Sequence, residues 1–222
     1  MYGRSPQASN SWPQAGVHGS LMGRTLGYVA LLLLVLSAST ILGVVVGTVG
    51  MWVGVVMLFG GTLMVNRAAR RAQAVLPWAL CVSVGMGVVV GPLVWSVAYT
   101  DASLLLFTLG TLVLAVAFSA ALVSWIPWDF SRLAPLLMIG LLMLMVTGLV
   151  SLVVPGATGI AMSPMFNVIG VAIFTGYLIV DFSLLRYRRL AFPERGLAVV
   201  LATYIVIDIV NLFLFLLRLG RG

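Results

Sequence analysis

Long runs of apolar residues, separated by short polar connectors, dominate this 222-residue chain. A helix that crosses a bilayer needs about 20 consecutive apolar residues, and windows of that length predict seven helices. They lie near residues 25–46, 49–66, 76–98, 102–124, 133–154, 159–184 and 196–218. Because the connectors are short, neighbouring helices should be antiparallel. The connectors also leave no room for a soluble domain. The pattern predicts an all-α membrane protein, with a seven-transmembrane helix bundle over residues 25–219.

The composition agrees with a membrane protein and reduces the classes of partner to consider. Hydrophobic residues make up 62% of the chain and charged residues 8%, whereas a soluble domain carries about 25% charged residues. The net charge of +7 comes from arginines that cluster in connectors and at the chain ends, which indicates membrane topology and no nucleic-acid partner. Membrane lipid is the expected surrounding. Residues 1–24 are rich in Ser, Gln, Gly and Pro and predict a disordered cytoplasmic tail.

The arginines also predict an orientation in the cytoplasmic (inner) membrane. Ten of the twelve arginines fall in the tail or in alternate connectors. The other connectors hold no arginine, and their one charged residue is Asp101. The positive-inside rule then makes the N-terminus cytoplasmic. Seven crossings would put Arg218 and Arg221 on the opposite side, so the side of the C-terminus stays open. The ten are Arg4, Arg24, Arg67, Arg70, Arg71, Arg132, Arg186, Arg188, Arg189 and Arg195.

Two of the five acidic residues lie inside apolar stretches near the end of the chain. Asp181 occurs in GYLIVDFSLLRY and Asp208 in TYIVIDIVNLFLFLL. A charged side chain in hydrocarbon costs roughly 2.5–3.5 kcal/mol on insertion scales, so such a residue is a functional candidate. The midpoint between the two falls at 194–195, in the polar break AFPERG. A hairpin turning at Pro193–Arg195 would bring both aspartates to one depth, about 20 Å from the turn.

Such a pair would have constrained chemistry. Two charges at close range in a low dielectric cannot both form at low cost, so the pair would titrate as a unit and share one proton. A fully ionised pair would offer oxygen ligands to calcium, which takes about 6–8 of them, so the site would be weak and transient. Asn211 could add an oxygen. Asn167, about four turns before Asp181, is the weaker candidate.

The last predicted helix carries a polar stripe on an otherwise apolar surface. Tyr204, Asp208, Asn211, Phe215 and Arg218 share one face, which should line the bundle interior or a wet cavity.

Two simpler interpretations of the aspartates remain open. Asp208 could be a hydrogen-bond anchor between helices. Asp181 could instead form an interfacial ion pair with Arg186, Arg188 or Arg189, worth about 0–1 kcal/mol if exposed.

These segments resemble the Bax inhibitor-1 family, also called the transmembrane Bax-inhibitor-motif family, which includes bacterial YccA-like members. GYLIVDFSLL and TYIVIDIVNLFLFLLRLG resemble its last two helices. VVVGPL, WDFSRLAPLLMIGLLMLMV and MFNVIGVAIFTGYLIVD resemble earlier segments, so the resemblance covers residues 76–219. It implies a seven-helix fold with the last helix central, and a pH-sensitive calcium leak in which paired aspartates, here Asp181 and Asp208, form a latch. It also implies a counter-charge late in the second helix, where Arg67 is the nearest match. The acidic residue that some members carry in that helix is missing here.

The preferred hypothesis is therefore a pH-sensitive calcium or cation leak, with calcium or protons as partners and no cofactor beyond the transported ion. The alternative is a non-conducting regulator of a membrane protease or quality-control complex, with residues 1–24 as its handle. A proton-coupled carrier is a third hypothesis, weakened by the lack of visible repeats. An enzyme is not expected, because the only histidine, His18, lies in the tail and no nucleophile–base pair is apparent.

Overall fold

A computed structural model describes residues 15–154, 159, 163–187 and 194–221, and these ranges contain helices and no strand. Six helices in this part of the chain are long and apolar enough to cross a membrane, which confirms an all-α membrane protein. The elements are α1 (Ala15–Arg70), α2 (Leu76–Thr100), α3 (Ala102–Trp125), a 3₁₀ helix (Phe130–Leu133), α4 (Ala134–Val153), α5 (Pro164–Tyr187) and α6 (Glu194–Leu219).

Two predicted boundaries differ from the structure at the start of the chain. Residues 1–14 of the predicted tail lie outside the described residues, but α1 begins at Ala15 and so includes its last ten. No proline follows Pro13 in this stretch, so nothing stops the helix from extending past the apolar segment. The described residues contain six helices of membrane-spanning length, so the predicted count of seven is not confirmed. The first two predicted spans fall within α1, on either side of a kink at Gly47.

The helix α1 changes direction at Gly47, whose φ of 59° and ψ of −152° are not helical. Few residues other than glycine adopt this region. Residues 21–46, the first limb, run alongside α2 in the same direction, since Leu36 lies against Gly87 and Thr40 against Gly91. The first limb is therefore parallel to α2.

The second limb of α1, residues 48–70, runs along α2 in the opposite direction. Gly54 lies against Gly85, and Gly61 lies against Val82, so the contacted α2 positions fall as the α1 positions rise. A Cβ atom on Gly85 would approach the Gly54 carbonyl oxygen to 2.6 Å. The glycines thus allow two helix backbones to approach closely, as the small residues at helix interfaces in membranes do.

The C-terminal helix α6 lies at the centre of the bundle, as the resemblance implied. It packs against α1, α2, α3 and α5. In its apolar window 67% of the residues are buried, against 6% in α4, which lies at the periphery. A helix that is apolar apart from one polar stripe, like α6, can bury most of its surface in such a central position.

Helices α5 and α6 pair in the antiparallel register that the sequence predicts. The Phe174 ring stacks on Phe215 at a centroid distance of 5.6 Å, and these two positions lie equally far from 194–195. Of the predicted turn Pro193–Arg195, the last two residues already belong to α6, which begins at Glu194, while α5 ends at Tyr187. Residues 188–193 lie outside the described residues.

The chain enters and leaves the bundle at opposite ends. At one end, Met22 near the start of α1 shares a cavity with Ser124 of α3 and Arg186 of α5. At the other end, Gly220 lies against Leu104 at the start of α3. The connector that follows α2 is at this second end, where the Asp101 carboxylate caps α3 by accepting a hydrogen bond from the Leu104 N–H at 2.9 Å.

Candidate functional site

Asp181 of α5 and Asp208 of α6 meet inside the bundle. Their carboxyl groups are close enough to interact directly, and the two residues are 4% and 8% exposed. An ionised carboxylate can only accept hydrogen bonds, so a bond between two carboxyl groups requires a proton on one of them. The contact that the spacing predicted is present.

Other groups contribute little to satisfying this pair. Within the described residues, Asp181 Oδ2 is fully buried and receives no N–H or hydroxyl donor. Its neighbours Val180 and Phe182 are buried and apolar. No arginine of the described ranges pairs with Asp181 or Asp208. Because a buried polar atom without a partner is costly, Asp181 Oδ2 lies in an unfavourable environment.

Two tyrosines flank the pair, one on each helix. Tyr177 precedes Asp181 by one turn and lies close enough for both carboxyl charges to act on its phenol. Tyr204 precedes Asp208 by one turn and donates its hydroxyl to Asn66 Oδ1 on the second limb of α1. The second tyrosine therefore ties the central helix to α1 beside the pair.

Sequence reasoning selected Tyr204 but missed Tyr177 and Asn66. A signal for Tyr177 was present, because a tyrosine four residues before the buried aspartate occurs twice, in GYLIVD and in TYIVID. Residues four apart lie on the same helix face, so each tyrosine should accompany its aspartate. Asn66 carried no comparable signal, since it falls at the predicted end of a span.

The polar stripe predicted on the last helix partly lines one cavity. Asp208, Asn211 and Phe215 of α6 contact a cavity of about 560 Å³ together with Tyr177 of α5. Arg218 is exposed, with its guanidinium carbon 5.9 Å from the centre of the Phe215 ring. Asn211 is thus the one candidate supporting oxygen that the structure brings to the same cavity as an aspartate.

Two other candidates lie away from the pair. Asn167 is 1% exposed and its Oδ1 has no partner among the described residues, but it precedes Asp181 by 14 residues, or about 21 Å of helix. Arg67 is exposed and forms no ion pair with either aspartate in the described ranges. The bundle face of α1 at this level is formed by the buried Ala68 and Ala69, which directs Arg67 outward.

The ion pair considered between Asp181 and Arg186 is absent. Arg186 instead donates to the Val123 carbonyl and, at 3.3 Å, to the Ser124 carbonyl. These carbonyls belong to the last turn of α3, where a cation is favourable because the helix dipole is negative there. Arg188 and Arg189 lie outside the described residues.

The arrangement offers two chemical states. With one proton, the carboxyl groups bond to each other across α5 and α6. Without it, two negative charges face each other and present hard oxygen atoms. In the part of the chain that the structure describes, no group of three or more histidine, cysteine or acidic side chains is placed to hold a metal ion.

Comparison with known proteins identifies the family of the chain. A family model described as "Inhibitor of apoptosis-promoting Bax1" matches residues 19–221. The match includes the first two predicted spans, which resembled the family only in hydropathy. No curated protein gives a significant match. The chain belongs to the Bax inhibitor-1 family of membrane proteins.

Proposed function

We propose that the protein is a pH-sensitive calcium or cation leak channel of the cytoplasmic membrane, gated by Asp181 and Asp208, with no enzymatic step and no cofactor. One observation carries this function: two buried carboxyl groups on neighbouring helices lie in contact inside the bundle. Membership of the Bax inhibitor-1 family supports it.

The shared proton acts as the latch between α5 and α6. While it is present, the carboxyl groups bond and the helices stay together. When it is lost, two unit charges about 4 Å apart repel by about 4 kcal/mol at an effective dielectric constant of about 20. That energy corresponds to roughly a thousandfold change in an equilibrium constant, so deprotonation strongly favours separation of the two helices.

Separated carboxylates then serve the passing cation. Two acidic side chains, supported by the Asn211 amide oxygen beside Asp208, supply fewer oxygens than the 6–8 that calcium usually takes. Such a site holds calcium weakly, with water completing the shell. Weak binding suits conduction, because an ion must leave the site as readily as it enters.

We further propose seven crossings with a cytoplasmic N-terminus. The chain starts at the end of the bundle that holds Arg186 and finishes at the end that holds Asp101. An odd number of crossings connects opposite ends, so α1 would cross twice and reverse at Gly47. The arginines at the start of α1 and the end of α5 then face the cytoplasm, and Arg218 and Arg221 face the other side.

The test is calcium flux into liposomes that contain the purified protein, measured from mildly acidic to mildly alkaline pH. Flux should rise with pH, because the latch proton is lost. In Asp208→Asn the amide donates to Asp181 without a titrating proton, so flux should fall and lose its pH dependence. Asp101→Asn removes an acidic residue from the exposed cap and should behave as the unsubstituted protein does.

Two results would contradict the leak. One is negligible flux through the unsubstituted protein at every pH, which would favour the non-conducting regulator of a membrane protease or quality-control complex. The other is identical flux through Asp208→Asn and the unsubstituted protein, which would remove the aspartates from the gate.

A further inference from the structure

The cavity beside Asp208 has a shape and composition that gating does not explain. Its volume of about 560 Å³ falls within the 300–1,000 Å³ range of small-molecule sites. It lies between the second limb of α1, α4, α5 and α6. Apolar side chains supply most of its wall: Leu58, Phe59, Leu63, Met86, Leu141, Leu144, Met145, Phe174, Ile207 and Phe215.

The cavity opens sideways, toward the membrane. In the described part of the chain, α4 packs mainly on α5 and the 3₁₀ helix, and α1 packs mainly on α2 and α6. The gap between α4 and this limb is bordered by Phe59, Leu63 and Met145, which are 60%, 69% and 47% exposed. On a membrane-spanning surface such side chains face lipid, so a ligand can enter from the hydrocarbon.

The polar groups lie on the inner wall, and the only ionisable acid among them is Asp208. Tyr177, Asn211 and Thr62 complete the polar part of the lining, and among the described residues no arginine, lysine or histidine lines the cavity. A carboxyl group in an otherwise apolar site favours a cation, because no cationic side chain lines the cavity to compensate it. The apolar wall favours a ligand with an extended hydrocarbon part.

We propose that this cavity binds a lipophilic ammonium ion, of the single-chain alkylamine class, with its head at Asp208 and its chain in the lateral gap. The head donates charge-assisted hydrogen bonds to the Asp208 carboxylate, and Tyr177 and Asn211 supply further oxygen atoms. Calcium usually takes about 6–8 oxygens, more than the polar side chains of this wall supply. The site goes beyond the leak, since binding here requires no conduction.

Native mass spectrometry of the full chain, released from phosphatidylcholine nanodiscs, can count bound ligands directly. The probes are dodecylamine and dodecanol, which share a chain length and differ in charge. We expect one saturable dodecylamine per protein and weaker binding of dodecanol. Asp208→Asn should reduce the affinity for dodecylamine by about tenfold to a hundredfold. This change corresponds to the loss of one hydrogen bond to a charged group. Dodecanol should bind the two proteins equally.

A second pair of variants tests the entrance without touching the aspartates. Met145→Trp adds bulk at the mouth of the cavity and should reduce amine binding. Met143→Trp is its matched control, because Met143 is 68% exposed on the same helix and does not line the cavity. Both positions are exposed, so both variants should fold.

Three outcomes would overturn the site. Dodecanol that binds as tightly as dodecylamine would indicate an acyl-chain crevice with no preference for charge. Amine binding that is unaffected by Asp208→Asn would place the head elsewhere. Equal binding by Met145→Trp and Met143→Trp would place the chain elsewhere. A protein that conducts no calcium can still bind the amine, so this result and the flux result are independent.

Discussion

Replacing Asp208 with asparagine should remove most of the pH dependence of the protein's thermal stability. In the proposed latch, Asp181 and Asp208 share a proton that two exposed carboxylates would have released at neutral pH. The folded state therefore binds more protons than the unfolded state, and by linkage its stability falls as pH rises. An asparagine amide keeps the hydrogen bond and removes the titration.

The expected size follows from the contact between the side chains. Two unit charges about 4 Å apart repel by about 4 kcal/mol at an effective dielectric constant of about 20. For a chain of this length each kcal/mol shifts the melting temperature by about 2–4 °C. The unsubstituted protein should thus lose up to about 8–16 °C between mildly acidic and mildly alkaline pH, while Asp208→Asn should lose much less.

The assay is thermal unfolding in detergent, followed by circular dichroism across that pH range. Asp181→Asn, Asp208→Asn and the double variant form a double-mutant cycle that isolates their interaction. Asp101→Asn is the control, since Asp101 is exposed and belongs to a helix cap. Equal pH dependence in the unsubstituted protein and Asp208→Asn, or additive effects in the cycle, would refute the shared proton.

Three further substitutions test the supports of the site by thermal unfolding. Tyr204→Phe leaves Asn66 Oδ1 without its donor and should cost about 1–3 kcal/mol; no loss would show that water replaces the tyrosine. Gly47→Ala places a side chain at φ 59° and should cost about 1–3 kcal/mol; an unchanged melting temperature would contradict the reversal there. Ser183→Ala removes the acceptor of the buried Phe130 N–H, now at 3.1 Å, and should cost about 1–3 kcal/mol; faster exchange of the Phe130 amide should accompany it, and unchanged exchange would contradict the contact.

Asp101, in the exposed helix cap, is a control for the pH dependence of stability. The Ser103 hydroxyl, 2.6 Å from Oδ1, and the Leu104 N–H hold the pKa of Asp101 below its usual value. A group with a lowered pKa in the folded state stabilises that state above its unfolded pKa. Its contribution disappears only in acid, so Asp101 adds no pH dependence in the neutral and alkaline range where the aspartate pair is tested.

The contact between Asp181 and Asp208 could be predicted because it depends only on how far each residue lies along the chain from the connector. Two antiparallel neighbours joined by a short connector pair residues at equal distances from its centre, whatever the rest of the bundle does. Phe174 and Phe215 obey the same rule. Hydrophobic periodicity over about 20 residues likewise predicts membrane helices, since a bilayer has one thickness.

Side-chain direction around the pair could not be predicted in this way. Arg67 directly follows Asn66, which bonds to Tyr204, yet the Arg67 side chain is exposed. Asn66 bonds to Tyr204 across 138 positions of the chain. Such contacts depend on how each helix is rotated about its axis, and rotation is decided by packing against several neighbours at once.

The sequence by itself determined the membrane class, most helix positions and the meeting of the two aspartates, because bilayer thickness and short connectors act along the chain. Only the tertiary structure decided that α1 continues through Gly47, that Arg186 caps α3, and that a lateral cavity reaches Asp208. Each of these depends on helices that are distant in sequence. Their packing is set by close contact between surfaces, and no local pattern records it.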